Sequence, residues 1–357
     1  MKMCRMETCA SRVTRWSHFW WRYGRALALG AIGMCALVVT TMAQNQTEGT
    51  KARIKHETLP YWAFAVNPES GAADATAKPV DETPIHVPGG TAEFTHAQIS
   101  DLYHVPDWHP AGHPAMPGVV AHGRKPEVFA CGYCHLPNGQ GRPENSSLAG
   151  LPAEYIVEQM AEFKRGRRKS SEPKLKPVAF MIAYETKAND EEMEAAAAYF
   201  SGLKAKRWIR VVETKTVPKT HVAGWMLVAS DAAEMEPIGQ RIIETPENLE
   251  QTELRNDASG FIAYVPVGSI KKGKALVTMG GGGKTIPCAP CHGVDLRGMG
   301  NVPSIAGRSP SYIVRQLYDI QSGARAGAKT QLMKAPVANL RVGDMVSIAA
   351  YAASLQP

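Results

Sequence analysis

Cys131-Gly132-Tyr133-Cys134-His135 decides how this chain is read, because Cys288-Ala289-Pro290-Cys291-His292 repeats its pattern. Cys-x-x-Cys-His is the attachment pattern for a c-type haem. Two residues between the thiols let one helical turn present both sulfurs to one porphyrin, with the next imidazole turned onto the iron as proximal ligand. A disulfide or redox pair, or half of a zinc site, would use the same cysteines. Against those readings, a His follows each pair, and the other cysteines (Cys4, Cys9 and Cys35) all lie near the N-terminus. Two covalently bound haem c groups are expected, with Cys131, Cys134, Cys288 and Cys291 as attachment points and His135 and His292 as iron ligands.

The segment holding those remaining cysteines is a leader. Ala26 to Met42 is uncharged and mostly apolar, follows a basic region, and ends in Thr41-Met42-Ala43. We read 1–43 as a secretory signal cleaved after Ala43, with an uncleaved membrane anchor as the alternative, since Trp16, Trp20 and Trp21 resemble an interfacial belt. Either way the bulk of the chain is expected outside the cytoplasm, periplasmic or otherwise exported. The formal charge of +7 comes largely from this leader; without it 34 basic side chains face 32 acidic ones. No global basicity points to nucleic acid.

From Cys131 onward, adding 157 reaches an equivalent residue. Ala149-Gly150 meets Ala306-Gly307, Tyr155-Ile156 meets Tyr312-Ile313, and Gly166 meets Gly323. Beyond that Gly the first copy reads as five residues longer, so Met181 matches Met333 and Tyr199 matches Tyr351. The element between motif and Gly has the apolar face of a helix, Tyr155, Ile156, Met160 and Phe163. The last element of each copy, about 190–203 and 342–355, is Ala-rich and helical.

In this order of residues the chain resembles the tandem dihaem cytochromes c, built from two class I cytochrome c domains. The resemblance implies a mainly α fold and electron transfer between redox proteins. It puts cytochrome c domains at 113–203 and 268–357, with an irregular extension at 44–112 and a linker with short strands at 204–267. It also implies distal sulfur ligands at Met181 and Met333, completing His135/Met181 and His292/Met333 pairs; Met116, Met160, Met193, Met279, Met299 and Met345 are the rival sulfurs. Pro303 fits the family's acceptor for the proximal imidazole N–H, but the matching position is Ser146, which led us to expect different potentials.

Four stretches of the linker read as strands: Arg207–Val212, Trp225–Val228, Gln240–Ile243 and Gly260–Val265. Tyr61–Val66 is too apolar to stay solvated and is expected to pack on a domain. Six histidines (His86, His96, His104, His109, His113 and His122) sit among prolines. They read as a segment wrapping the first haem, with an extra metal site or a bis-His haem as the alternative. Seven cations between Lys164 and Lys176 read equally as a solvated loop or as a docking patch near the haem edge. The expected partners are an exported dehydrogenase as donor and an oxidase or another cytochrome as acceptor. The alternative is a dihaem enzyme, such as a peroxidase, whose distal ligand at the first haem is releasable.

Overall fold

Helix ends, not apolar runs, mark where each Cys-x-x-Cys-His turn is braced. A computed structural model describes residues 58–68, 82–230 and 234–357. The leader at 1–43 and part of the extension lie outside the described residues. No described helix is long and apolar enough to cross a membrane.

The described part of the extension is irregular apart from one short helix and two 3-10 turns, at Tyr61–Ala63 and Pro110–Gly112. A capping box on Thr95 starts α1 (His96–Ser100), and α2 (Gly118–Ala121) follows. Trp108 is fully buried and donates its indole N–H to the Leu254 carbonyl at 2.8 Å. Ahead of them Tyr61–Ala63 forms one 3-10 turn, and Phe64 is buried edge-on to Tyr318. The Tyr61–Val66 stretch therefore packs as its composition suggests.

In the first helical half, α3 (Cys131–His135) carries the first motif. Helix α4 (Ala153–Lys164) has Glu154 in its first turn and Lys164 in its last, both favourable to its dipole. Then come α5 (Lys176–Ala183) and α6 (Asp190–Gly202). Asn189 and Glu192 close a capping box on α6, which packs on α4 over a core including Ile156, Tyr199 and Phe200.

The central segment exceeds a linker. Strands β1 (Ile209–Thr214), β2 (Thr216–Pro218), β3 (Thr220–Ala223), β4 (Met226–Ala229), β5 (Met235–Pro237), β6 (Ile243–Pro246) and β7 (Phe261–Pro266) make three small sheets, with α7 (Leu249–Glu253) between β6 and β7. β7 is central: it pairs in parallel with β1 (Ile209 with Phe261) and antiparallel with β6 (Ile243 with Tyr264). Its Phe261, Ala263 and Val265 are buried in the alternation a half-covered strand requires. Gly224-Trp225 turns the β3–β4 hairpin with both φ positive, the geometry that matches strand twist. β2, β3 and β5, with three or four residues each, were too short to be legible.

The second half runs α8 (Ser269–Met279), α9 (Ala289–His292), α10 (Pro310–Ser322), α11 (Lys334–Val337) and α12 (Val342–Ser354). Ser309 caps α10 by accepting the Tyr312 N–H, and Gly323 ends it at φ 87°, where a side chain would be strained. α8 and α12 cross at Gly273, and their apolar faces join the α10 face in the largest buried core.

Candidate functional site

The first motif forms a helical turn, Cys131–His135, which holds no Pro and no β-branched residue; its Gly132 is packed against Val105 and Val120. It opens onto a cavity of about 320 Å³. Cys131, Cys134, His135 and Met181 all line this cavity, so four residues spread over fifty positions meet at one site. His135 is buried, and its Nδ1 lies 2.8 Å from the Ser146 carbonyl. That bond fixes Nδ1 as the donor and leaves Nε2 with its lone pair for a metal. Burial lowers the His135 pKa to about 4, against the pull of the carbonyl, so the ring is neutral at ordinary pH.

The second motif repeats the hinge. His292 Nδ1 lies 2.9 Å from the Pro303 carbonyl, and burial again lowers its pKa. The Ser146/Pro303 difference therefore leaves this hydrogen bond unchanged, because the acceptor is main chain in both copies. What differs is exposure. Cys131 and Cys134 are half-buried, whereas Cys291 is exposed. Cys288 and Met333 pack against the same apolar core, and Thr285 Oγ1, three residues before Cys288, donates to the Pro336 carbonyl at 2.7 Å. That bond joins the motif loop to the chain bearing Met333.

Met181 lies in α5 rather than in a loop, and Met333 ends a 3-10 turn at Lys329–Met333. Of the rivals, Met160 and Met193 also line the first cavity and Met116 packs on its walls. Met345 is fully buried in the helical core, and Met279 and Met299 are exposed.

None of the six N-terminal histidines lines the cavity. His109 pairs with Asp257 at 2.6 Å, and His113 sits between Asp107 and the Tyr199 hydroxyl, each at 3.0 Å. They tie the extension to the core. Among the described residues no cluster of three His, Cys, Asp or Glu could hold a further metal.

In the run from Lys164 to Lys176 six of the seven cations are exposed, as either reading of the run requires, and Arg168 alone is half-buried. Arg167 forks onto Glu162 at 2.6 and 2.7 Å, and Lys164 donates to the Ala188 carbonyl. Arg168 turns inward and meets Arg325 across an antiparallel bridge between the halves. Arg168 reaches the Tyr312 hydroxyl at 2.9 Å; Arg325 reaches the Tyr155 hydroxyl at 3.0 Å. The two bonds are a pseudo-twofold exchange, since residue plus 157 relates Arg168 to Arg325 and Tyr155 to Tyr312. The arginine pair holds the 157 offset past Gly166, so the added residues of the first copy fall later than read from sequence. That match was the overlooked signal.

These arginines test whether the site suits a haem. Arg308 and Arg315 are buried on main-chain carbonyls and a serine hydroxyl, Arg168 and Arg325 are half-buried on glutamine and tyrosine, and among the described residues no carboxylate lies within ion-pair distance of any of them. Nε of Arg308 and of Arg325 has no partner at all. Burial pulls Arg308 down to about 10. Uncompensated buried cations are costly. Arg168 and Arg315 line the cavity itself. An apolar cleft with two thiols, an imidazole, a thioether and carboxylate-free guanidinium groups suits a porphyrin bearing two propionates.

One acid in the cavity behaves differently. Glu185 is 9 % exposed, and burial pushes its pKa up to about 8, with the Phe129 N–H opposing and Glu192 adding to the rise. Between about pH 4.5 and pH 8 the folded chain therefore holds a proton that the unfolded chain has lost, so stability falls as pH rises through this window and levels off above it. Glu185→Gln is expected to flatten the dependence of the thermal midpoint on pH across the window; a slope equal to the parent's would remove Glu185 as its source.

The cytochrome c family model matches residues 122–204. Cytochrome c-552 of Acidithiobacillus ferridurans is 38 % identical over 86 residues, 24 % of this chain and 36 % of that protein. The chain thus spans about a third of that relative. The thiosulfate dehydrogenase electron acceptor of Thiomonas intermedia is 26 % identical over 213 residues, covering 58 % of this chain and 70 % of its own length. Reduced cytochrome c4 of Pseudomonas stutzeri superposes with a TM-score of 0.40 at 20 % identity, over 63 % of this chain and 93 % of that one. Set beside the geometry of the first cavity, the family match makes residues 122–204 a cytochrome c domain, and such a domain implies covalently bound haem c.

Proposed function

We propose that the chain is an exported dihaem c-type cytochrome that passes electrons between redox proteins. In this reading 113–203 and 268–357 are its two haem domains and 204–267 a folded insert between them. Cys131 and Cys134 anchor one haem and Cys288 and Cys291 the other. His135 and Met181, and His292 and Met333, fill the axial positions. The observation that carries the reading is the duplicated Cys-x-x-Cys-His turn, each with its imidazole Nδ1 tied to a main-chain carbonyl.

When bound, haem with His and Met ligands supplies one-electron chemistry at a raised potential. The residues do the rest. The carbonyl of Ser146 or Pro303 orients each imidazole. The apolar wall keeps water from the first iron site, and the interface arginines hold negative charge between the halves. The Phe129 and Trp225 rings pack edge to face against Phe180 of α5. They hold the Met181 segment in place, which argues against a releasable ligand and the peroxidase alternative. A relative named as an electron acceptor of thiosulfate dehydrogenase supports an exported dehydrogenase as donor; an oxidase or another cytochrome would be the acceptor.

Met–iron coordination gives a weak near-red band in the oxidised spectrum. Met333→Ala is expected to halve that band, and adding Met181→Ala to abolish it. A band untouched by Met181→Ala would return the first distal role to Met160 or Met193, and one untouched by Met333→Ala would remove Met333 from the second.

A further inference from the structure

The two halves present their motifs to the outside in opposite ways. Over the first, the insert forms a roof. The Arg255 guanidinium lies 3.5 Å from the centre of the Tyr133 ring and donates to the Tyr133 carbonyl at 2.9 Å, inside the Cys-x-x-Cys-His turn itself. Tyr133 is buried as a result. Its counterpart in the second motif, Pro290, is exposed, as is Cys291 beside it. The chain around the second motif then offers apolar side chains to solvent. Ile286, two residues before Cys288, is 51 % exposed; Val294, two after His292, is 88 % exposed; Leu332, next to Met333, is 78 % exposed. Ile286 and Val294 flank the motif in sequence, and the Thr285–Pro336 hydrogen bond beside Ile286 ties the motif loop to the segment that bears Leu332; apolar groups gathered in this way mark an interaction site.

Charge identifies the occupant. Residues 113–203 carry 11 basic and 11 acidic side chains; residues 268–357 carry 11 basic and 3 acidic. Two of those three acids, Asp319 and Asp344, are buried, which leaves Asp295 as the exposed acidic side chain of the second half. Lys272 and Lys284 share Asp344, and Lys329 reaches across to Glu158. Lys334 and Arg297, flanking Leu332 and Val294 in sequence, are exposed and have no carboxylate partner among the described residues. Such a face attracts an acidic partner and repels a basic one over about a Debye length, ~8 Å at physiological salt.

We propose that the exposed ring around Cys291 is the docking face for an acidic redox protein, and that the second haem is the port through which the chain exchanges electrons with it. The proposal rests on the dihaem reading above. One electron leaves the partner and arrives at the iron held by His292, or the reverse; no bond forms or breaks and no proton moves.

An acidic flavodoxin serves as probe. Its oxidised form reports association by calorimetry, and its reduced form reports electron transfer by stopped-flow absorbance over a range of salt. Arg297→Glu with Lys334→Glu is expected to weaken association at least tenfold and flatten the salt dependence. Val294→Asp, at a site too exposed to affect folding, is expected to slow transfer severalfold. Lys125→Glu with Arg165→Glu, exposed cations of the first half, should change both less than twofold. Parent-like association in the Arg297/Lys334 variant, or an equal loss in the Lys125/Arg165 variant, would overturn the proposal while leaving the dihaem reading standing. A parent protein whose intact mass shows fewer than two haems would fail at the earlier reading, before any probe is added.

Discussion

Cys288→Ser with Cys291→Ser is expected to lower the intact mass by one haem and to leave a single haem-staining band of half intensity. The same pair of changes at Cys131 and Cys134 should give the same mass but a less stable protein. Both outcomes follow from how each site is built. In the proposed dihaem reading each thioether pair would be the whole covalent link at its site, so removing it would be all-or-none. The structural cost differs because the first cavity is lined by the first half, the insert and the second half together, including Arg168 and Arg315, which have no carboxylate within ion-pair distance among the described residues. Emptying it would take negative charge away from guanidinium groups whose charged form burial already opposes, at a cost of about a few kcal/mol. The second motif has one cysteine exposed to solvent, and its loss uncovers less. Intact-mass spectrometry reads the haem count and thermal unfolding reads the difference. Equal destabilisation by the two variants would show that the arginines do not depend on the first site's occupant.

The next largest effect lies away from either site. Gly273→Ala should destabilise the protein by on the order of 3 kcal/mol or more, at the upper end for overpacking. A Cβ at Gly273 would lie 1.9 Å from the Ser347 carbonyl oxygen and 2.7 Å from the Tyr351 Cβ. Neither neighbour can swing away, since one is backbone and the other is fixed to it on α12. Relief requires the two helices to separate along the seam of the largest core, where Leu276, Val346 and Ala350 are buried. Gly268→Ala is the control: its surroundings are open, and its positive φ costs only local strain. Similar unfolding midpoints for the two variants would contradict the close crossing.

How much of this could be read from sequence depends on how each feature is encoded. The motifs, the 157-residue repeat and the paired closing helices were legible because each is local and occurs twice. The Met181 assignment was reachable by the same route, and the cavity gathers that residue with Cys131, Cys134 and His135. The arginines were not read because sequence does not say which way a charged side chain turns: Arg168 is one of seven cations between Lys164 and Lys176 and is the one that points inward. The proximal hydrogen bond was judged by residue type, yet its acceptor is main chain, which Ser146 and Pro303 supply equally. The insert was underestimated because β2, β3 and β5 are short and are held by pairing partners distant in sequence.

Duplicated units usually drift apart one copy at a time. The exchange of Arg168 to Tyr312 and Arg325 to Tyr155 removes that freedom. Each copy completes a bond in the other, so a change in one tyrosine falls on the arginine of the opposite copy. A mutation tolerated in one such unit standing alone would be felt here in both halves at once. The seam between the copies should therefore be the slowest part of the molecule to diverge, while the roofed and open motif faces remain free to specialise.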